Sequence, residues 1–357
     1  MTIEWLAGNR IRGTSAEKPV SSLQSPSVGG WVELGRTTLG STNVNIDVTS
    51  LADKRYLMFL VNTTGASAIT SDGIMRVGNS SIDTGSNYAH RSSFDGGSDS
   101  TGTSATGISL SRNDTNPEWT VGYFANLSTK EKLSLAWKVE QGTAGAANAP
   151  KHRIESAGKW TNTSNVIDQY RWNTGGSETW SAGSEVVVLG WDPADTHTTN
   201  FWEEIGTASG TGLADITLDS SKKYNWIQAF FTTTSSSGIK LRLGNGSLDA
   251  GSNYTRRQST NGGSDTTAIN EDGISFASGW TSSYKIFLNA FIINNSANEK
   301  LIIANLTYTT SGSSQIPARY EIVGKWTNTS ALFNHIGIVN DASSLIASSE
   351  AKVWGSD

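Results

Sequence analysis

The sequence has no cysteine, which removes disulfides, thiol nucleophiles and thiolate metal sites together. Its four histidines, at 90, 152, 197 and 335, are scattered, with none at metal-ligand spacing from another. No apolar run approaches the roughly 18 residues of a membrane span, and the first residues lack the apolar stretch of a signal peptide. Long helical periods are missing, as are the GxSxG elbow, the Walker loop, the dinucleotide fingerprint and HExxH. Charge is scarce at 17% of residues, and the formal net charge of -5 argues against a general binder of nucleic acid or anionic membrane, which needs a basic surface. The expectation is a chain that is not an enzyme and requires no cofactor.

What the chain does have is a duplication. The seven residues GKWTNTS at 158–164 recur at 324–330. The stretch from Arg76 to Asp99 reappears from Arg242 to Asp265, both ending in GGSD. Trp31 to Gly35 matches Trp202 to Gly206, and the SE-led closing segments at 184–190 and 349–355 also match. A period this long means tandem domains, well above solenoid units. The boundaries read as an arm at 1–30, a first repeat at 31–192, a linker at 193–200 and a second repeat at 201–357. The linker is polar, contains Pro193, and is short and stiff.

Abundant Gly, Ser, Thr and Asn suit short strands joined by turns, and thirteen Trp against three Met point to rigid aromatic packing. Tyr56 to Val61, YLMFLV, is apolar at every position, the pattern of a buried central strand. Leu133, Leu135, Trp137 and Val139 alternate with other residues, as on a half-exposed strand. The fold class expected is all-β: two tandem antiparallel β-sandwiches of jelly-roll type, each with its first and last strands side by side.

Four groups of residues invite a functional reading. Trp5 and Leu6, with Arg10 and Arg12, would make the arm a docking segment, the alternative being a tail lying on the first domain. Asp83 and Asn87, like Asp249 and Asn253, place oxygens four positions apart around a Gly, a spacing that suits calcium but also an Asx turn; the turn is adopted, with no metal. The shared Trp31, Trp202, Trp160 and Trp326 are assigned to packing. Tyr170, Trp172 and Trp180 have no aromatic counterpart in the second repeat, so they are the leading glycan or interface contacts, the alternative being that they fill a gap peculiar to the first repeat or cover the linker.

The loop NGSLDAGSNY at 245–254, with the later GKWTNTS block and the closing SE strand, resembles a β-sandwich domain widespread in virion proteins of tailed phages. The first repeat has Asn79-Ser80 where the second has Asn245-Gly246. The opening WLAGNRIRGTSAEKP is similar to an N-terminal segment of marine viral proteins. The resemblance implies a virion surface protein, made in the host cytoplasm and held to other virion proteins by its arm. It would serve as a capsid decoration protein or short fibre for host attachment, as a homo-oligomer, by preference a trimer. A stand-alone carbohydrate-binding module and a polysaccharide depolymerase are the competing readings.

Overall fold

The computed structural model describes residues 30–66, 73–110, 115–193, 200–233, 238–277, 284–309, 316–340 and 349–357. The docking candidates Trp5, Leu6, Arg10 and Arg12 and most of the linker lie outside the described residues. Among the described residues the chain is all β apart from a 3₁₀ turn at Gly210–Ala214.

Repeat 1 supplies β1 (Val32–Thr38), β2 (Asn45–Thr49), β3 (Tyr56–Thr63), β4 (Ile74–Asn79), β5 (Ser81–Ile82), β6 (Tyr88–Phe94), β7 (Ser100–Ala105), β8 (Ile108–Ser109), β9 (Glu118–Ala125), β10 (Lys132–Glu140), β11 (His152–Trp160), β12 (Gln169–Asn173) and β13 (Glu185–Trp191). Repeat 2 supplies β14 (Glu203–Ser209), β15 (Ile216–Thr217), β16 (Tyr224–Thr232), β17 (Ile239–Gly244), β18 (Tyr254–Thr260), β19 (Thr266–Glu271), β20 (Ile274–Ala277), β21 (Lys285–Ile293), β22 (Lys300–Thr309), β23 (Ala318–Trp326), β24 (His335–Asn340) and β25 (Glu350–Ser356). Each repeat has an eight-stranded sheet, β1-β13-β3-β9-β10-β11-β6-β7 or β14-β25-β16-β21-β22-β23-β18-β19. A smaller sheet covers it, β2-β12-β4-β5 with β8 on β4, or β15-β24-β17-β20. First and last strands pair in both repeats, β1 with β13 and β14 with β25.

Among the described residues, strand alternation fills three cores instead of two. Leu57, Phe59 and Val61 of β3 point into the first sandwich, while Met58 and Leu60, on the opposite face of the pleat, enter a third core between the repeats. The same division holds on β13, where Val186 and Val188 face inward and Val187 and Leu189 outward. From repeat 2 come Phe201, Trp202, Tyr224, Phe291, Ile293, Leu301, Ile303 and Val323. The two large sheets therefore lie face to face, which explains why YLMFLV is apolar throughout. Burying each such side chain is worth roughly 1.5–3 kcal/mol, so the third core outweighs any single polar contact across the junction.

Polar contacts fix the alignment. Arg153 of β11 donates to Asp265 through Nη2 at 2.7 Å and Nε at 3.1 Å, both side chains being almost fully buried. Glu185 accepts from Lys223 at 2.7 Å and from the Tyr224 hydroxyl. Lys325 donates to the Thr143 carbonyl at 2.6 Å and Gly145 to Glu299 at 2.6 Å. The two GGSD turns meet here, with the Asp265 amide donating to the Asp95 carbonyl at 3.1 Å. Gly96 has φ +67°, and a Cβ there would stand 2.3 Å from the Gly263 carbonyl oxygen. Only glycine allows that approach.

Candidate functional site

The structure corrects the expectation that Tyr170, Trp172 and Trp180 are contact residues. They are 1%, 0% and 0% exposed, inside the core of the first sandwich. Tyr170 and Trp172 sit on β12 opposite Val77 and Met75 of β4. At the same register in repeat 2, Ile336 and Ile338 face Leu243 and Leu241. Repeat 2 fills the equivalent space differently, with Leu213 from the 3₁₀ turn and with Phe276 and Phe333. The absence of aromatics from one copy thus records two packing solutions. Replacing Trp172 with Ala should cost about 3–5 kcal/mol of stability, read as a shifted denaturant midpoint, and a change under 1 kcal/mol would contradict this placement.

The Asp/Asn loops are turns that capture the repeated tryptophan. Asp83 accepts from Trp160 Nε1 at 2.8 Å, from the Asn87 amide at 2.9 Å and from the Gly85 amide at 2.8 Å. Asp249 does the same with Trp326, Asn253 and Gly251. Burial works against the Asp83 charge, yet the bonds from Trp160, Asn87 and Gly85 hold its carboxyl below the usual range. In each GKWTNTS block the Asn then accepts from following backbone amides, Asn162 from Ser164 and Asn165, and Asn328 from Ser330 and Ala331. The duplicated motif is a structural clamp. A cation would have to displace those N–H donors, and no group of three metal-ligating side chains occurs among the described residues.

The strand β10 alternates as its sequence implies, with its leucines turned outward. Its apolar residues point away from the first sandwich: Leu133 is 58% and Leu135 54% exposed. The inward side carries Lys132 and Lys138, both fully buried. Lys132 reaches the Lys130 and Asn162 carbonyls at 2.9 Å. Lys138 lies 3.1 Å from both Glu118 and Glu140. Burial pushes Glu140 up to about 7 against the pull of Lys138. This ion cluster is enclosed, so it serves packing and offers no access to a substrate.

The outward side of β10 leads to a place where both repeats expose aromatic and charged side chains together. Beyond the edge of the third core, the facing sheets leave an open cleft of about 480 Å³. Repeat 1 contributes Arg91, Asp99, Leu135, Trp137 and Glu155, and repeat 2 contributes Phe287, Asn289, Asn305, Arg319 and Glu321. Phe287 is 48% exposed, and Trp137 is braced edge-on by Tyr123 at 6.2 Å. Arg91 pairs with Asp99 at 3.0 Å, Arg319 with Glu321 at 3.1 Å and Arg153 with Glu155 at 2.9 Å. Asn289 accepts from Trp226 Nε1 at 2.7 Å, which fixes the orientation of its amide. Burial, then the Glu155 charge, raises the Glu321 carboxyl above its ordinary value.

The cleft has a sequence cause. On the closed side, Leu60, Trp119, Val121 and Val187 of repeat 1 cover the face of repeat 2. The matching positions of repeat 2 are Gln228, Phe287, Asn289 and Lys352, mostly polar. No comparable hydrophobic gain closes that half, and the sheets stay apart. Arg153 and Asp265 are buried on the closed side, while their counterparts Arg319 and Asp99 line the cleft.

No protein-family model matches the chain, and no curated protein sequence matches it. Among solved structures it is similar to the LG1-3 region of the laminin α2 chain, with a TM-score of 0.23 and 10% identity over 87% of this chain and 64% of that one. It is also similar to domains LG4-5 of the mouse laminin α1 chain, with a TM-score of 0.18 and 13% identity over 92% and 90% of the two chains. The chain thus spans less than two thirds of the laminin α2 fragment.

Proposed function

We propose that this chain is a non-enzymatic attachment protein on a virion surface and that the inter-repeat cleft takes a surface glycan. The observation that carries the ligand class is the pairing of half-buried Trp137 and half-exposed Phe287 with carboxylates, guanidiniums and amides in one cleft. Sugar rings pack their C–H faces on aromatic and apolar surfaces, while hydroxyl groups take paired bonds from planar polar side chains. Fusing the repeats holds the two walls at a fixed separation. The virion setting rests on the sequence resemblance, with residues 1–30 as the docking segment toward other virion proteins.

The test is a glycan array probed with the full chain, followed by titration of the best ligand. Trp137→Ala and Phe287→Ala should each weaken binding about tenfold or more, while Trp172→Ala that remains folded should bind as the parent. Absence of any glycan signal would sink the ligand reading. One observation favours a second reading. Glu321, raised by burial, lies with Glu155 in the same cleft, a pairing that suits acid-assisted glycoside hydrolysis. Release of reducing ends by the parent chain, lost in Glu321→Gln, would replace attachment by depolymerisation. Binding without cleavage supports attachment.

A further inference from the structure

We propose that the apolar groove on the outer face of repeat 1 joins two copies of this chain about a twofold axis. The groove measures about 580 Å³ and is lined by Trp31, Tyr56, Tyr123, Leu133, Leu135 and Trp191 among others. Its rings support one another: Tyr56 stacks on Trp191 at 5.3 Å, and Trp31 lies 6.2 Å from Trp191 and 6.1 Å from Tyr123. It continues an established interface, because Trp31 and Tyr123 also pack against the third core. An exposed apolar face on a large sheet marks an interaction surface.

The duplication shows what kind of surface fits. The matching residues of repeat 2, Trp202, Tyr224, Phe291, Leu301 and Ile303, are all buried in the third core. There they are covered by the outer sheet face of a sandwich, that of repeat 1. A second copy offers few apolar sheet faces that could do the same for repeat 1. The covering face of its repeat 1 is already used within its own chain, and the corresponding face of its repeat 2 carries Gln228, Asn289 and Lys352. What remains is the groove itself, so the contact is groove to groove, and a self-complementary patch closes as a twofold dimer. Ion pairs of both signs border it, Lys159 with Glu131 and Arg55 with Asp192, so facing copies bring no excess of one charge together.

Sedimentation equilibrium of the full chain should give twice the 38.0 kDa chain mass. Leu133→Glu, which sets a carboxylate in the apolar contact of each copy, should weaken association by about a hundredfold or more. Leu133 already faces solvent in the single chain, so at protein concentrations low enough for both to be monomeric this variant should unfold at the parent's midpoint. Ile316→Glu, at a residue 92% exposed and away from the groove, should leave the dimer intact. A monomeric parent chain overturns the proposal, whether residues 1–29 or another protein then covers the groove. A dimer untouched by Leu133→Glu, or an assembly of three copies, overturns it as well. Leu133 lines the groove and not the cleft, while Leu135 borders both, so glycan titration of the Leu133→Glu monomer separates failure of the dimer from failure of the ligand reading.

Discussion

Trp119→Ala should destabilise both repeats at once, by about 3–5 kcal/mol. Trp119 lies on β9 but points away from the core of its own sandwich, and its ring stacks on Tyr224 of repeat 2 at 5.5 Å. If the repeats were independent domains, this would be a surface substitution with an effect within about 0.5 kcal/mol. The third core makes it a cavity instead. Denaturant unfolding followed by tryptophan fluorescence should show one transition moved to lower midpoint. A parent-like midpoint would mean that the sheets do not pack in solution.

Arg153→Ala should cost a similar amount through a different mechanism. Its guanidinium is 4% exposed and the Asp265 carboxylate 1% exposed, so the truncation strands a buried charge, a loss of about 3–5 kcal/mol. Arg257 stands 4.0 Å from Asp265 and compensates only in part. Replacing both partners with apolar residues, Arg153→Met with Asp265→Leu, should recover most of the loss, since neither charge then has to be desolvated. The duplicate position gives the control. Arg319 is 61% exposed beside Glu321, and Arg319→Ala should change stability by less than about 1 kcal/mol. Equal losses at Arg153 and Arg319 would contradict the asymmetry between the closed and open halves of the junction.

Much of the architecture is legible in the residues. The duplicated blocks locate both sandwiches, and the matched opening and closing segments become the paired strands β1 with β13 and β14 with β25. YLMFLV reads correctly as buried on both faces, but nothing local says that one face belongs to another repeat. The alternation on β10 is likewise real, while its direction is not local information. It depends on Lys132 and Lys138 finding carbonyl and carboxylate partners inside the sandwich, which frees the leucines to face outward.

The candidate site was the less legible part, because its residues come from β6, β10, β11, β21, β22 and β23 and the neighbouring turns. A usable signal does exist in the duplication. Leu60, Val121 and Val187 align with Gln228, Asn289 and Lys352, so an apolar outer face in one copy becomes polar in the other at matching strand positions. That contrast marks where one face is covered and its twin left open. The loss of Tyr170, Trp172 and Trp180 from repeat 2 misleads because aromatic and aliphatic side chains can fill equivalent cores by different routes. Trp31 and Trp202 show the converse: one matched residue lines an exposed groove and the other is 3% exposed in the third core.

Calorimetric unfolding of the full chain tests the shared core most directly. The account predicts one cooperative transition whose calorimetric and van't Hoff enthalpies agree. Two resolved transitions, one disappearing when the core of repeat 1 is disrupted and the other unmoved, would contradict it.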